Sequence, residues 1–338
     1  MDLNTVWFIL IGILFIGYFV LEGFDLGVGI WLPFLGKDDT QRRMILNTIG
    51  PHWDGNEVWL ITAGGAMFAA FPGWYASLFS GFYLPLMIIL LALIVRGVAL
   101  EFRSKDENPR WRAFWDWAIC IGSLLPSILW GVAFANFTQG VPIDASGNYA
   151  GTFWDLINVY SILGGLVTLT GFMLQGALFL ANKAGEPVHS IARNAAGQVW
   201  IATSVAFLAA GIATYFFTDV LTKLGINPGP VPVFGVIAVF ISGWFIQRKL
   251  DGWAFWINTI AIVLTTATVF IILYPRVLVS SLDPLYSLTI YTTASGPTTL
   301  RVMSIVALIL VPIVLVYQGW SYRVFRKRVT AEPGDLHY

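Results

Sequence analysis

Two pairs of carboxylates with the same spacing lie in neighbouring apolar segments of the chain. Glu22 and Asp25 sit inside a long hydrophobic stretch, and Asp54 and Glu57 open the next one, just after His52. Residues three apart share a face of a helix, so each pair can act at one place. Ionisable side chains inside membrane segments are costly to keep and mark candidate functional sites. We therefore treat these residues as a candidate functional site.

Two interpretations of the second pair remain open. A carboxyl group in an apolar environment holds its proton closer to neutral pH than one in water, so it can both accept and release a proton. Alternatively, Asp54 and Glu57 could cap the helix that they begin and complement its dipole. Capping explains one acid at the start of this helix well. It does not explain why Asp54 and Glu57 are both present, nor why Glu22 and Asp25 lie in the preceding segment.

The composition excludes a soluble globular domain. Of the 338 residues, 57% are hydrophobic and only 11% are charged, with a formal net charge of zero, as expected for a polytopic membrane protein. Nucleic acid is not an expected partner. The single cysteine, Cys120, excludes a disulfide within the chain and a cysteine-based metal site. The first apolar run is too long for a cleavable signal peptide and should remain as a membrane helix.

Hydropathy predicts an all-α integral membrane protein with nine transmembrane helices. A span needs about 20 mostly apolar residues. The candidate spans lie near residues 6–34, 52–72, 77–102, 113–138, 153–182, 194–218, 231–248, 252–275 and 298–322.

The basic residues predict the orientation, because cytoplasmic loops carry an excess of Lys and Arg. Sixteen of the 19 fall on one side of the predicted topology, and Lys223, Arg276 and Arg301 fall on the other. The amino terminus is therefore predicted to lie outside and the carboxyl tail in the cytoplasm. Both acidic pairs then lie toward the cytoplasmic side.

Short internal matches suggest a repeat. The segment from Glu57 to Thr62 resembles the one from Gln198 to Thr203, and Ala113-Phe-Trp recurs at the same offset as Ala254-Phe-Trp. We predict two parallel four-helix units, residues 1–140 and 141–275, with a ninth helix and basic tail at 276–338. The first unit would hold the acidic cluster and the second would be mainly scaffold. Opposite the acids Asp25, Glu57 and Asp116, the second unit carries Met173, Gln198 and Ile257.

Glycine spacing and one buried arginine have structural interpretations. Gly23 and Gly27 form a small-xxx-small pair that allows helices to approach closely. Arg96 is expected to form a structural ion pair with Glu101 or Asp116.

The histidines argue against haem in this chain. Membrane haem usually needs an axial His or Met within a helix bundle. His52, His189 and His337 fall at a helix start, in a loop and in the tail. We therefore expect that this chain holds neither haem nor metal.

Several longer motifs stand out: Glu22–Gly29, Gly50–Gly65, Phe71-Pro72, Ser80–Tyr83 and Arg96–Arg103. They cover the first third of the chain closely. With them, the chain resembles subunit II of the cytochrome bd-type quinol oxidases of bacteria, and its later part agrees with that family in length and general character.

The resemblance implies a subunit of a heterodimeric terminal oxidase in the bacterial cytoplasmic membrane. In that family, subunit I carries haem b and haem d, oxidises quinol and reduces dioxygen to water, while subunit II stabilises it. A small accessory membrane subunit and lipid are further expected partners. A quinone bound to this chain is left open.

The resemblance also implies roles for individual acids. Residues matching Asp25 and Asp54 are associated with a proton path from the cytoplasm toward the haems. We predict Asp54 as the entry group, Glu57 and His52 as its neighbours, and Asp25 with Glu22 as the inner relay.

Two other functions fit part of the pattern. One is a proton-coupled secondary transporter with two parallel repeats, which should show broken helices at matching positions in both halves. The other is a scaffold whose acids are structural.

Overall fold

The computed structural model describes residues 2–220, 230–332, 334 and 336–338, and the described chain is almost entirely helical. Lys223, which was predicted to lie outside, falls beyond the described residues. Two short strands, β1 (Arg276–Leu278) and β2 (Leu288–Thr289), pair antiparallel. The helices are α1 (Leu3–Leu35), α2 (Asp39–Ile49), α3 (Trp53–Ala70), α4 (Pro72–Gly81), α5 (Tyr83–Phe102), α6 (Pro109–Gln139), α7 (Val159–Lys183), α8 (Val188–Phe217), α9 (Val231–Gln247), α10 (Asp251–Leu273) and α11 (Pro297–Val324).

Seven of the described helices are long and apolar enough to cross a membrane: α1, α5, α6, α7, α8, α10 and α11. Of the remaining predicted spans, α9 has 17 residues, and α3 begins with several polar residues. The prediction of an all-α membrane protein is confirmed. The count of nine spans stays a prediction.

The break between α3 and α4 was not expected from hydropathy. Phe71 interrupts the helix with φ −134° and ψ 67°, and Pro72 starts α4. A residue before proline is disfavoured in the helical region, whereas proline itself suits a first helical turn. Residues 77–81, predicted to begin the third span, therefore belong to α4, and α5 starts at Tyr83.

Helix α1 lies at the centre and packs against α3, α6, α7 and α10. Its closest approach is to α7, where Gly27 faces Gly176. A methyl group on either glycine would overlap backbone atoms of the other helix. The close packing predicted from the glycine spacing is confirmed.

Helix α11 is peripheral, and Leu300 is its only buried residue. Near one end, the indole Nε1 of Trp7 donates to Leu300 O at 3.2 Å and to Ser304 Oγ at 3.1 Å. Near the other end, Gln318 and Tyr322 are partly buried and reach toward α3. Polar contacts thus hold both ends of α11.

Many basic side chains gather at one end of the bundle, where α1 ends and α3 begins. This basic end carries Arg42, Arg103, Arg112, Lys183 and Arg193. The chain after α11 returns across it: Val329 N donates to Lys183 O at 2.8 Å.

Candidate functional site

A single buried guanidinium joins two of the predicted acids. Arg96 Nη1 lies 2.6 Å from Glu22 Oε1 and 2.7 Å from Glu57 Oε1. The side chains of Arg96 and Glu22 are fully buried, and that of Glu57 is 19% exposed. Helices α1, α3 and α5 therefore bring opposite charges together inside an apolar bundle, which lowers the cost of burying each one.

The predicted pairing of Arg96 with Glu101 or Asp116 is wrong. Asp116 is paired with Arg103, whose Nε lies 2.5 Å from its Oδ1, and with Arg42 at 2.8 Å. Glu101 is exposed. The error arose because sequence spacing does not show which face of α5 turns toward α1 and α3.

Asp25 is fully buried, one helical turn from Glu22. Its carboxylate accepts a hydrogen bond from an amide side chain. Asn56 Nδ2 donates to Asp25 Oδ2 at 2.6 Å. The oxygen of Asn56 accepts from Tyr322 Oη at 2.9 Å and from Gln318 Nε2 at 3.3 Å. The peripheral helix α11 thereby reaches the acidic cluster.

Sequence reasoning missed the amide partner of Asp25 and the groups of α11 that bond this amide. Asn56 lies within the motif Gly50–Gly65, but its spacing did not predict a role for it. Gln318 and Tyr322 are four residues apart in an apolar segment, so they share a helix face. That spacing was the available signal, although it could not identify a partner more than 260 residues away.

The cluster retains unused hydrogen-bonding capacity. Among the described residues, four of its buried polar atoms have no hydrogen-bond partner: Arg96 Nε and Nη2, Glu22 Oε2 and Asp25 Oδ1. Buried polar groups of this kind commonly bond ordered water.

Asp54 and His52 stand apart from these three acids. Asp54 is exposed in the first turn of α3. His52 is buried, and its ring stacks on Tyr322 with the ring centres 4.1 Å apart. The described contacts include no hydrogen bond or ion pair from either residue to Glu22, Asp25 or Glu57.

Side-chain capping does not account for the acids of α3. The cap position is His52, and its side chain makes no capping hydrogen bond. Glu57 is turned inward to Arg96 instead. Asp54, near the helix start, is still placed to complement the helix dipole.

The three histidines lie in different surroundings. His52 packs against Tyr322, while His189 contacts Ala181 O through Nδ1 at 2.5 Å and Arg193 through Nε2 at 3.0 Å. His337 is exposed in the tail. In the part of the chain that the structure describes, no group of three His, Cys, Asp or Glu residues could hold a metal ion.

A small apolar cavity lies between α1, α6, α7, α8 and α10. Its lining is apolar apart from the hydroxyl groups of three threonines. The bound quinone that the resemblance left open stays a prediction. Lining residues include Phe19, Phe134, Thr168, Phe172, Phe207 and Thr266.

Comparison with known proteins identifies the family. The model of the family described as cytochrome bd terminal oxidase subunit II matches residues 3–325. Cytochrome bd ubiquinol oxidase subunit 2 of Bacillus subtilis (strain 168) is 47% identical over 330 residues, covering 97% of each chain. Cytochrome bd-I ubiquinol oxidase subunit 2 of Escherichia coli (strain K12) is 37% identical, covering 98% of this chain and 96% of the relative.

The fold agrees with a solved structure. A chain of the bd oxidase from Geobacillus thermodenitrificans superposes with a TM-score of 0.78 at 18% identity, covering 96% of this chain and 99% of that one. At that identity the likeness concerns the fold alone. Taken with the matches along the sequence, these findings show that the chain belongs to the cytochrome bd terminal oxidase subunit II family.

Proposed function

We propose that this chain stabilises a haem-bearing subunit I in a quinol:dioxygen oxidoreductase and carries protons toward it from the cytoplasm. Dioxygen reduction to water consumes protons, and taking them from the cytoplasm while quinol releases protons outside separates charge across the membrane. The observation that carries the proposal is the buried cluster of Glu22, Asp25 and Glu57 around Arg96. Intramembrane acids of this kind mark proton relays.

The proposed membrane arrangement has nine spans, with α3 as the second and α9 as the seventh. Residues 1–140 and 141–275 would form the two four-helix units, and residues 276–338 the ninth helix and tail. The concentration of arginine and lysine at the basic end supports a cytoplasmic position for that end. The amino terminus would then lie outside. A small accessory subunit and lipid remain proposed partners.

The solvent exposure of the acidic side chains falls along the proposed proton path. Asp54 is exposed at the basic end, Glu57 lies one turn further along α3 and is 19% exposed, and Glu22 and Asp25 are fully buried. We assign Asp54 as the entry group and Glu57 as the next acid. Glu22 and Asp25 form the inner relay. His52, which is buried just before Asp54, is the proposed neighbour of the entry group.

The test is Asp54→Asn in the intact oxidase. We expect quinol-driven oxygen consumption to fall about tenfold or more, as is usual when an acid–base group is removed, with haem content unchanged. Oxygen uptake and visible spectra measure the two quantities. The matched control is Glu107→Gln, which neutralises another exposed acid near the basic end. Unchanged turnover would remove Asp54 from the path, and loss of haem would indicate an assembly role.

The transporter hypothesis gains no support from the helix breaks. The helix breaks at Phe71, between α3 and α4, whereas α8, the counterpart of α3 in the proposed repeat, runs unbroken from Val188 to Phe217. Purification of the chain with its membrane partner separates the two functions. A haem spectrum supports the oxidase, whereas a colourless protein that binds a solute supports the transporter.

A further inference from the structure

Hydrogen bonds connect an indole on α3 to Asp25 by way of α11. Trp59 Nε1 donates to Gln318 Oε1 at 2.9 Å, and Gln318 Nε2 donates to Asn56 Oδ1 at 3.3 Å. Asn56 Nδ2 then donates to Asp25 Oδ2 at 2.6 Å. The series leaves α3, crosses to α11, and returns through α3 to α1.

The direction of this series is fixed by its first member. An indole N–H can only donate, so Gln318 must present its oxygen to Trp59 and its amide N–H groups to Asn56. Asn56 must then present its own oxygen to Gln318 and its N–H groups to Asp25. The hydroxyl of Tyr322 also donates to Asn56, but a hydroxyl can donate or accept, so it follows the orientation and does not set it.

We propose that Trp59 and Gln318 are positioning residues, which lock the amide of Asn56 so that an N–H donor always faces Asp25. This inference rests on the proposed role of Asp25 in the proton path. With a permanent donor, Asp25 can lose its proton without facing an amide oxygen, which would repel the carboxylate. Without the lock, Asn56 can turn its oxygen toward Asp25 and favour the protonated acid.

The surroundings of Asp25 contain several other charged or titratable groups. Glu22 lies on its own helix, Glu57 comes from α3, Arg96 from α5 and Tyr322 from α11. The locking residues are neutral. Substituting them with neutral side chains therefore alters the orientation of the donor while leaving every one of these charges in place.

The first test is Trp59→Phe in the purified oxidase complex, which removes the N–H and keeps an aromatic ring. We expect the pH profile of turnover to move toward higher pH by about one unit, the usual effect of a lost hydrogen bond to a charged group. Haem content should be unchanged. The matched control is Trp7→Phe, which removes an indole N–H that also binds α11, at its other end. That control should leave the profile unshifted.

A second variant, Gln318→Met, removes the amide that links Trp59 to Asn56. It provides the same test if the Trp59→Phe complex does not assemble. Because the two residues act in one series, the double variant should shift the profile no further than either single variant. Additive shifts, or an equal shift in Trp7→Phe, would overturn the proposal.

An infrared titration separates this inference from the proposed function, because it needs no turnover. The carboxyl band of Asp25 is identified by its loss in Asp25→Asn and followed with pH in the wild-type and Trp59→Phe complexes. A band that persists to higher pH in Trp59→Phe supports the lock. An unchanged titration overturns it, whatever the result for Asp54→Asn.

Discussion

At the scale of single residues, Arg96 is the organising group of the acidic cluster. Its Nη1 contacts both Glu22 and Glu57, and all three side chains lie inside the bundle. Removing one partner of a buried charge pair leaves an uncompensated charge in an apolar medium, which costs far more than the pair contributes. The cluster should therefore tolerate the joint removal of Arg96 and one of its acids better than the removal of Arg96 alone.

We predict that Arg96→Met destabilises the oxidase by about 3–5 kcal/mol, the usual effect of stripping a buried acid of its cation. The measurement is the thermal unfolding midpoint of the purified complex, with haem content as a second readout. Arg96→Met combined with Glu22→Gln should recover part of the loss, because the buried carboxylate is removed as well. A double variant less stable than Arg96→Met alone would contradict this account.

The acids themselves could be predicted from the sequence, but their partners could not. Glu22, Asp25 and Glu57 stood out because charge is rare in apolar segments. Spacing along one helix shows which residues share a face, and it does not show which neighbouring helix that face meets. The bonds from Arg96 to α1 and α3, and from Gln318 to Asn56, depend on lateral packing and became visible only in the fold.

At the scale of elements, the α1–α7 contact sets the position of the acids. Gly27 lies two residues after Asp25, against the backbone of α7 at Phe172 and Gly176. The approach is possible because neither glycine carries a side chain. Asp25 bonds to Asn56 of α3, so neighbouring residues of α1 contact both α7 and α3.

We predict that Gly27→Ala destabilises the complex by several kcal/mol, because the added methyl group overlaps backbone atoms that cannot move aside. Gly319→Ala is the matched control, since a methyl group there meets nothing within 4 Å. Thermal unfolding of both variants provides the comparison. Equal stability of the two would show that α1 and α7 can separate without cost.

The sequence predicted most long helices to within a few residues but missed the short ones. Helix α2 is amphipathic and only 11 residues long, with Asp38 accepting from Gln41 N at 2.9 Å at its start. Helix α4 is separated from α3 by Phe71 alone. A search for stretches of about 20 apolar residues merges or overlooks such elements.

At the scale of the whole molecule, the segment after α11 joins distant parts of the basic end. Arg43 donates to Leu336 O at 2.7 Å and to Tyr338 O at 2.9 Å. Tyr338 also packs its ring on Gly50 and donates to Gly50 O at 3.2 Å. Partial burial raises the pKa of the Tyr338 phenol, which keeps that donor protonated. The tail thereby braces the loop before Asp54.

We predict that Tyr338→Ala releases this segment from Gly50. Full burial of an aromatic ring contributes about 1.5–3 kcal/mol. Because the Tyr338 ring is partly buried, its removal should speed limited proteolysis after residue 325 by roughly fivefold to tenfold. Tyr338→Phe keeps the ring and should stay within a few-fold of the wild-type rate. Protease resistance equal in all three proteins would show that the contact does not hold the tail.

The amides around Asp25 have one more consequence for the direction of proton flow. Asn56 and Gln318 neither gain nor lose protons near neutral pH, so their hydrogen bonds cannot conduct a proton from Tyr322 or from His52 behind it. The side of Asp25 that faces α11 therefore does not conduct protons. A proton bound for Asp25 must therefore bypass this amide series, and the proposed route through Glu57 and Glu22 does so.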